Sequence, residues 1–170
     1  LGQARPGASS DLFSLAVLIF RLLTRHDPLK GQLELAIRCL DEPARRRLYG
    51  EDPVFIFDPR DPRNRPDPIE HAAALMTWPI YPERLKALFE QTFCGGLHQA
   101  NRRALTGQWM QAIAQCLDQR VLCPHCQQEN FPELGPPASC WACGSALPAA
   151  VLLQTPLARV AAAADNSLQP

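Results

Sequence analysis

Four cysteines in two Cys-x-x-Cys pairs place the tightest limit on how this chain folds. Cys123-Pro-His-Cys126 and Cys140-Trp-Ala-Cys143 stand thirteen residues apart. Two such knuckles can fold back on each other and set four thiolates at the corners of a tetrahedron. That arrangement suits zinc, at about 2.3 Å per Zn–S bond. The proline-rich connection from 127 to 139 is too short to build a core, so the ion supplies the missing folding free energy. Four sulfurs close the coordination sphere, which makes the site structural and not catalytic. A redox dithiol needs only one pair, at a helix start. Iron–sulfur ligation by four cysteines is chemically open, with the two-and-two spacing favouring zinc. His125, between two ligands, is expected to be exposed and uncoordinated.

The other three of the seven cysteines, Cys39, Cys94 and Cys116, lie in apolar helical contexts that favour buried, inert thiols. No histidine or acid is placed by the sequence to activate Cys94 as a nucleophile. An odd count without an export signal argues against a disulfide framework. Seventeen Lys+Arg balance seventeen Asp+Glu, which argues against a protein that coats phosphate backbones or anionic membranes. No Lys or Arg occurs from Val121 to Leu157, so the cysteine module lacks the charge for nucleic-acid binding. No apolar run approaches the ~20 residues of a spanning helix, and a cytoplasmic location is expected. Leu at position 1 points to a fragment or a processed start.

The first 117 residues read as helices joined by loops. Ser9-Ser10-Asp11 offers N-cap chemistry ahead of an apolar run from Leu12 to Leu23. A helix apolar around nearly its whole circumference belongs at the centre of a larger body. A second helix is expected from Gln32 to Leu48, with Leu33, Leu35, Ala36, Cys39 and Leu40 on one face. Repeated X-Pro steps make 50 to 68 a long loop, with Val54-Phe55-Ile56-Phe57 as a short strand or extended segment pinned on the helices. Pro82 to Phe93 carries Leu85, Leu88, Phe89 and Phe93 at helical spacing and stops at Gly95-Gly96. Thr106 to Leu117 carries Trp109, Ile113, Cys116 and Leu117 on one stripe.

Ser10-Asp11-Leu12-Phe13-Ser14-Leu15-Ala16-Val17-Leu18-Ile19-Phe20-Arg21-Leu22-Leu23-Thr24 resembles the central C-lobe helix of eukaryotic-type Ser/Thr protein kinases. The following Arg25-His26-Asp27-Pro28-Leu29 keeps that family's proline and lacks its glycine. Asn101-Arg102-Arg103-Ala104-Leu105-Thr106-Gly107-Gln108-Trp109 resembles the start of the lobe's final helix, with Ala104 and Gln108 in place of proline and glutamate. The resemblance implies that Asp11 bonds the backbone of a catalytic loop and that Arg103 pairs with a glutamate closing the activation segment. With neither partner in this chain, both side chains are expected to be solvated. The 53–59 loop, Asn64-Arg65-Pro66, His71, Trp78 to Pro82 and the knuckles resemble a narrower bacterial kinase group. That group is encoded beside a von Willebrand A-type protein and a PP2C-type phosphatase, which the resemblance implies as partners, together with the rest of a kinase domain.

The expected fold is mainly α, a kinase C-lobe-like helical region over 1–117, a zinc ribbon over 118–148 and a short apolar strand or tail over 149–170. A complete parent would transfer phosphate from MgATP to protein Ser/Thr. This chain has no glycine-rich nucleotide loop, no Val-Ala-x-Lys strand, no His-Arg-Asp and no Asp-Phe-Gly. It is therefore expected to be inactive alone, with no catalytic residue, Asp11 and Arg103 as structural positions, and Cys123, Cys126, Cys140 and Cys143 as zinc ligands. The alternative is a non-catalytic protein–protein interaction module; nucleic-acid binding ranks third.

Overall fold

A computed structural model describes residues 7–132 and 138–148. The expected 149–170 tail lies outside the described residues. Helix α1 spans Ala8–Thr24, α2 Gln32–Leu35, α3 Glu42–Arg46, α4 Ala72–Thr77, α5 Glu83–Glu90 and α6 Thr106–Asp118. Two short strands follow, β1 (Val121–Leu122) and β2 (Glu129–Asn130), paired antiparallel with Val121 opposite Asn130. The architecture is mainly α, as the sequence implies.

Helix α1 begins one turn earlier than its Ser-Ser-Asp cue. Gly7 is the N-cap, and the Ser10 hydroxyl serves it twice. The Gly7 N–H donates to Ser10 Oγ at 3.0 Å, and that hydroxyl donates to the Gly7 carbonyl at 2.7 Å. Ala16 and Phe20 on α1 are fully buried. Phe20 is the hub of an aromatic core, with ring centroids 5.6 Å from Phe55, 5.3 Å from Phe89 and 6.0 Å from Trp78. The edge-on pairs with Phe55 and Phe89 add roughly 0.5–1.5 kcal/mol each beyond area burial. The opposite side of α1 is open: Leu18 is 55% and Leu22 72% exposed. An all-round apolar helix is thus only partly enclosed by the described residues.

The single helix expected over Gln32 to Leu48 is two short ones. The Asp41 carboxylate accepts from the Ala44 N–H at 2.9 Å, a local N-cap, and Pro43 lacks the N–H a continuous helix would require. The intervening bend leaves Leu35 and Cys39 exposed, so Cys39 is not the buried thiol expected. After α3 the chain continues as a wider turn over Arg47–Glu51 that buries Leu48.

The proline-rich loop is ordered, with Val54, Phe55 and Ile56 buried and no strand formed. Phe57 stacks on Trp78 at 4.4 Å, and the Ile56 N–H donates to the Pro28 carbonyl at 2.9 Å. Buried Asn64 ties the loop together: its amide donates to the carbonyls of Leu29 (2.9 Å) and Val54 (2.6 Å) and accepts from the Leu33 N–H (3.1 Å). A Cβ on Gly31 would stand 2.5 Å from Asn64 Oδ1, so this approach demands glycine. On α5 and its continuation, Leu85, Phe89 and Phe93 are buried as expected. On α6 the core stripe is Trp109, Ala112 and Cys116, while Leu117 points outward.

His71 is buried against His26, ring centroids 4.1 Å apart, and its Nδ1 accepts from the Asp67 N–H at 2.8 Å. Burial, then the neighbouring His26, holds its pKa below the ordinary value. The folded protein therefore binds fewer protons here than the unfolded chain, so stability falls as pH drops below about 6.5. Thermal melting between pH 7.5 and 5 should show this decline, and it should be flatter in His71→Gln. Separately, Asn64→Ala leaves two buried carbonyls and the half-buried Leu33 N–H unpaired and should cost about 3 kcal/mol in denaturant titration.

Candidate metal centre

The ribbon is built from two loops with the same backbone pattern. In the first, the Cys123 N–H donates to the Gln128 carbonyl at 2.9 Å and the Gln127 N–H to the Cys123 carbonyl at 2.9 Å. In the second, the Cys140 N–H donates to the Ser145 carbonyl at 2.8 Å and the Gly144 N–H to the Cys140 carbonyl at 2.9 Å. The residue four past each leading cysteine is left-handed, Gln127 at φ 61° and Gly144 at φ 73°. Glycine takes that conformation freely; glutamine takes it at a cost. A bridge between Ser139 and Ala146, with the Leu147 N–H donating to Ala138, closes the second loop.

This geometry gathers all four expected ligands. Cys123 and Cys143 sulfurs are 3.6 Å apart, as are those of Cys126 and Cys140, and all four lie within 4.8 Å of one another. A tetrahedron with Zn–S bonds of about 2.3 Å has edges of about 3.8 Å. The cluster thus fits one tetrahedral ion. Among the described residues no His, Asp or Glu joins it, and His125 is exposed, as expected.

The thiols are poised unevenly. Burial pushes Cys140 up, but the N–H groups of Cys143 and Ala142 and the Asn130 amide outweigh it and bring it down to about 6. Contact with Ser145, 3.3 Å from its hydroxyl, holds Cys143 low as well. At Cys126 a backbone hydrogen bond to Gln128 favours the thiolate. Burial and the three neighbouring sulfurs prevail, pushing that thiol up to about 12. Four sulfurs this close do not all ionise without a cation among them.

Asn130 supports the ligands, a role its position in the sequence did not reveal. It is buried, with its amide donating to the Gln128 carbonyl at 2.8 Å and lying 3.6 Å from Cys140 Sγ, while its Oδ1 accepts from the Trp141 N–H at 3.2 Å. It thereby links the two knuckles. The Trp141 indole N–H donates to the Glu129 carbonyl at 2.8 Å. A polar residue four places past a Cys-x-x-Cys pair is the only signal the sequence offers.

The remaining candidates stand elsewhere. Asp11 is exposed in the first turn of α1, and its carboxylate makes no hydrogen bond or ion pair with a described residue. Arg103 is half-buried and held by its neighbours, not simply solvated. Its Nε donates to the Gly96 carbonyl at 2.9 Å, its two terminal nitrogens to those of Ser9 (2.6 Å) and Leu97 (3.3 Å), and it covers the Phe13 ring at 5.1 Å. Every acceptor is a backbone carbonyl. Cys94 is half-buried, and burial followed by a hydrogen bond with Asp58 pushes its thiol up to about 12, which is contrary to nucleophilic use. Cys116 is a core thiol.

Compared with protein-family models, curated proteins and solved structures, the chain matches none.

Asn130→Ala should weaken metal affinity roughly 10–100-fold, as loss of a ligand-orienting partner does, in a chelator competition titration. Gln127→Gly should relieve the left-handed strain and stabilise the metal-loaded ribbon by about 1 kcal/mol.

Proposed function

We propose that the chain is a non-catalytic structural module, a zinc ribbon carried on a helical body of the protein-kinase C-lobe type. The observation that carries the metal part is the four-sulfur cluster with 3.6 Å edges. A closed set of four thiolates leaves no position for substrate or water, so the ion's work is to hold the fold. Zinc is the ion that an all-sulfur tetrahedral set without redox partners suits best.

The kinase part rests on the motif likeness of residues 10–24 and 101–109. Two features support it. Arg103 ties the Gly96-Leu97 turn and the residues before α6 to the start of α1, and so braces a lobe at the position where the family places its own arginine. Leu18 and Leu22 leave one face of α1 without a cover among the described residues. In this reading the parent transfers phosphate from MgATP to protein Ser/Thr, in the cytoplasm, with a PP2C-type phosphatase and a von Willebrand A-type protein as partners. Among the described residues no helix is long and apolar enough to cross a membrane. The second reading, a protein–protein interaction module, draws on Leu122 and Trp141, which are exposed on the ribbon.

Metal analysis of protein purified without chelator should give one zinc per chain, lost in a Cys123→Ser/Cys126→Ser double variant. A stoichiometry near zero would remove the metal reading. Calorimetric titration with MgATP should give no heat of binding, because phosphoryl transfer needs a phosphate-cradling loop, a lysine and Mg²⁺-binding acids, and this sequence has none of those motifs. Micromolar binding would overturn the non-catalytic assignment.

A further inference from the structure

The ribbon is packed against the helical body at a definite point. Immediately after β2, Phe131 leaves the metal centre and joins the helical core, its ring 5.6 Å from that of Tyr81. The Tyr81 hydroxyl in turn donates to the Leu23 carbonyl at 3.2 Å. Leu23 lies in the last turn of α1, where backbone carbonyls have no partner within the helix. On the other side, β2 is gripped by the second knuckle: Trp141 donates its backbone N–H to Asn130 and its indole N–H to Glu129. A continuous series of contacts therefore runs from the Cys140–Cys143 knuckle through β2, Phe131 and Tyr81 to the end of α1.

We propose that the ribbon is a metal-dependent clamp on the helical body, in which ion binding at the four cysteines is transmitted through Phe131 and Tyr81 to the C-terminus of α1. The inference rests on the metal reading above. The physical basis is a two-state element: among the described residues the ribbon buries only Cys123, Cys140 and Leu147 in its own apolar cluster, too little to stay folded without its ion. When the ion leaves, β2 loses its partner knuckle and Phe131 loses its fixed place. The Tyr81 ring is then uncovered and the Leu23 carbonyl loses its donor. The coupling is reciprocal, so weakening the Phe131 contact must weaken ion binding by the same factor.

The test uses the full chain. The Arg25 N–H, which donates to the Arg21 carbonyl at 2.9 Å, reports the closing turn of α1. Hydrogen exchange there should quicken about two- to tenfold when a strong chelator strips zinc, the range an aromatic contact supports. In Phe131→Ala exchange should already be fast with zinc bound, chelation should change it little, and the zinc dissociation constant should rise by the matching factor. Tyr81→Phe, which keeps the ring and removes only the hydroxyl, should quicken Arg25 exchange while leaving zinc stoichiometry at one. Exchange at Arg25 that ignores chelation in a protein shown to hold and then lose one zinc overturns the clamp and leaves the metal site standing. Absence of bound zinc from the start overturns both.

Discussion

Four cysteine sulfurs within 4.8 Å of one another are the constraint on which the C-terminal part of this molecule depends. Such a cluster is repulsive when ionised, and among the described residues its apolar support is slight: Cys123, Cys140 and Leu147 form its buried cluster. A two-residue strand pair and two hydrogen-bonded loops do not overcome the entropy of ordering that much chain. A divalent cation resolves both difficulties at once, neutralising the thiolates and fixing the two knuckles relative to each other. The lowered Cys140 and Cys143 thiols, set against the raised Cys126, mark how far the surrounding backbone and side chains alone can prepare the site and where it needs the ion.

The helical body is organised by a different force. Phe20 gathers Phe55, Phe89, Phe93 and Trp78 around one residue of α1, and Asn64 pins the long proline-rich loop so that Phe55 reaches that cluster. The loop is thus part of the core and not an appendage. Arg103 closes the far end by donating to three carbonyls from two separate segments, a task suited to a guanidinium fork and not to an ammonium. Phe131 and Tyr81 join this body to the ribbon.

Much of this was legible in the residues, and the failures have identifiable causes. The doubled Cys-x-x-Cys spacing named all four cysteines that the fold brings together, because knuckle geometry is encoded in short-range sequence. The apolar periods of α5 and α6 located those helices, although on α6 the true stripe is shifted to Trp109, Ala112 and Cys116, adjacent to the one expected. Gln32 to Leu48 misled because its apolar period continues through a local break: Asp41 and Pro43 impose a new N-cap that periodicity ignores. The buried roles of Asn64, Asn130 and His71 depend on contacts between segments, such as Asn64 with Leu29, which no local pattern reports. Arg103 was singled out by motif likeness, yet its carbonyl partners follow only from the folded chain.

The central claim is that one ion held by sulfur alone organises the ribbon. X-ray absorption at the zinc edge on the intact protein tests it most directly. The account predicts four sulfur neighbours at about 2.3 Å and no oxygen or nitrogen in the inner shell. A shell containing water, carboxylate or imidazole, or a metal edge other than zinc, would contradict it.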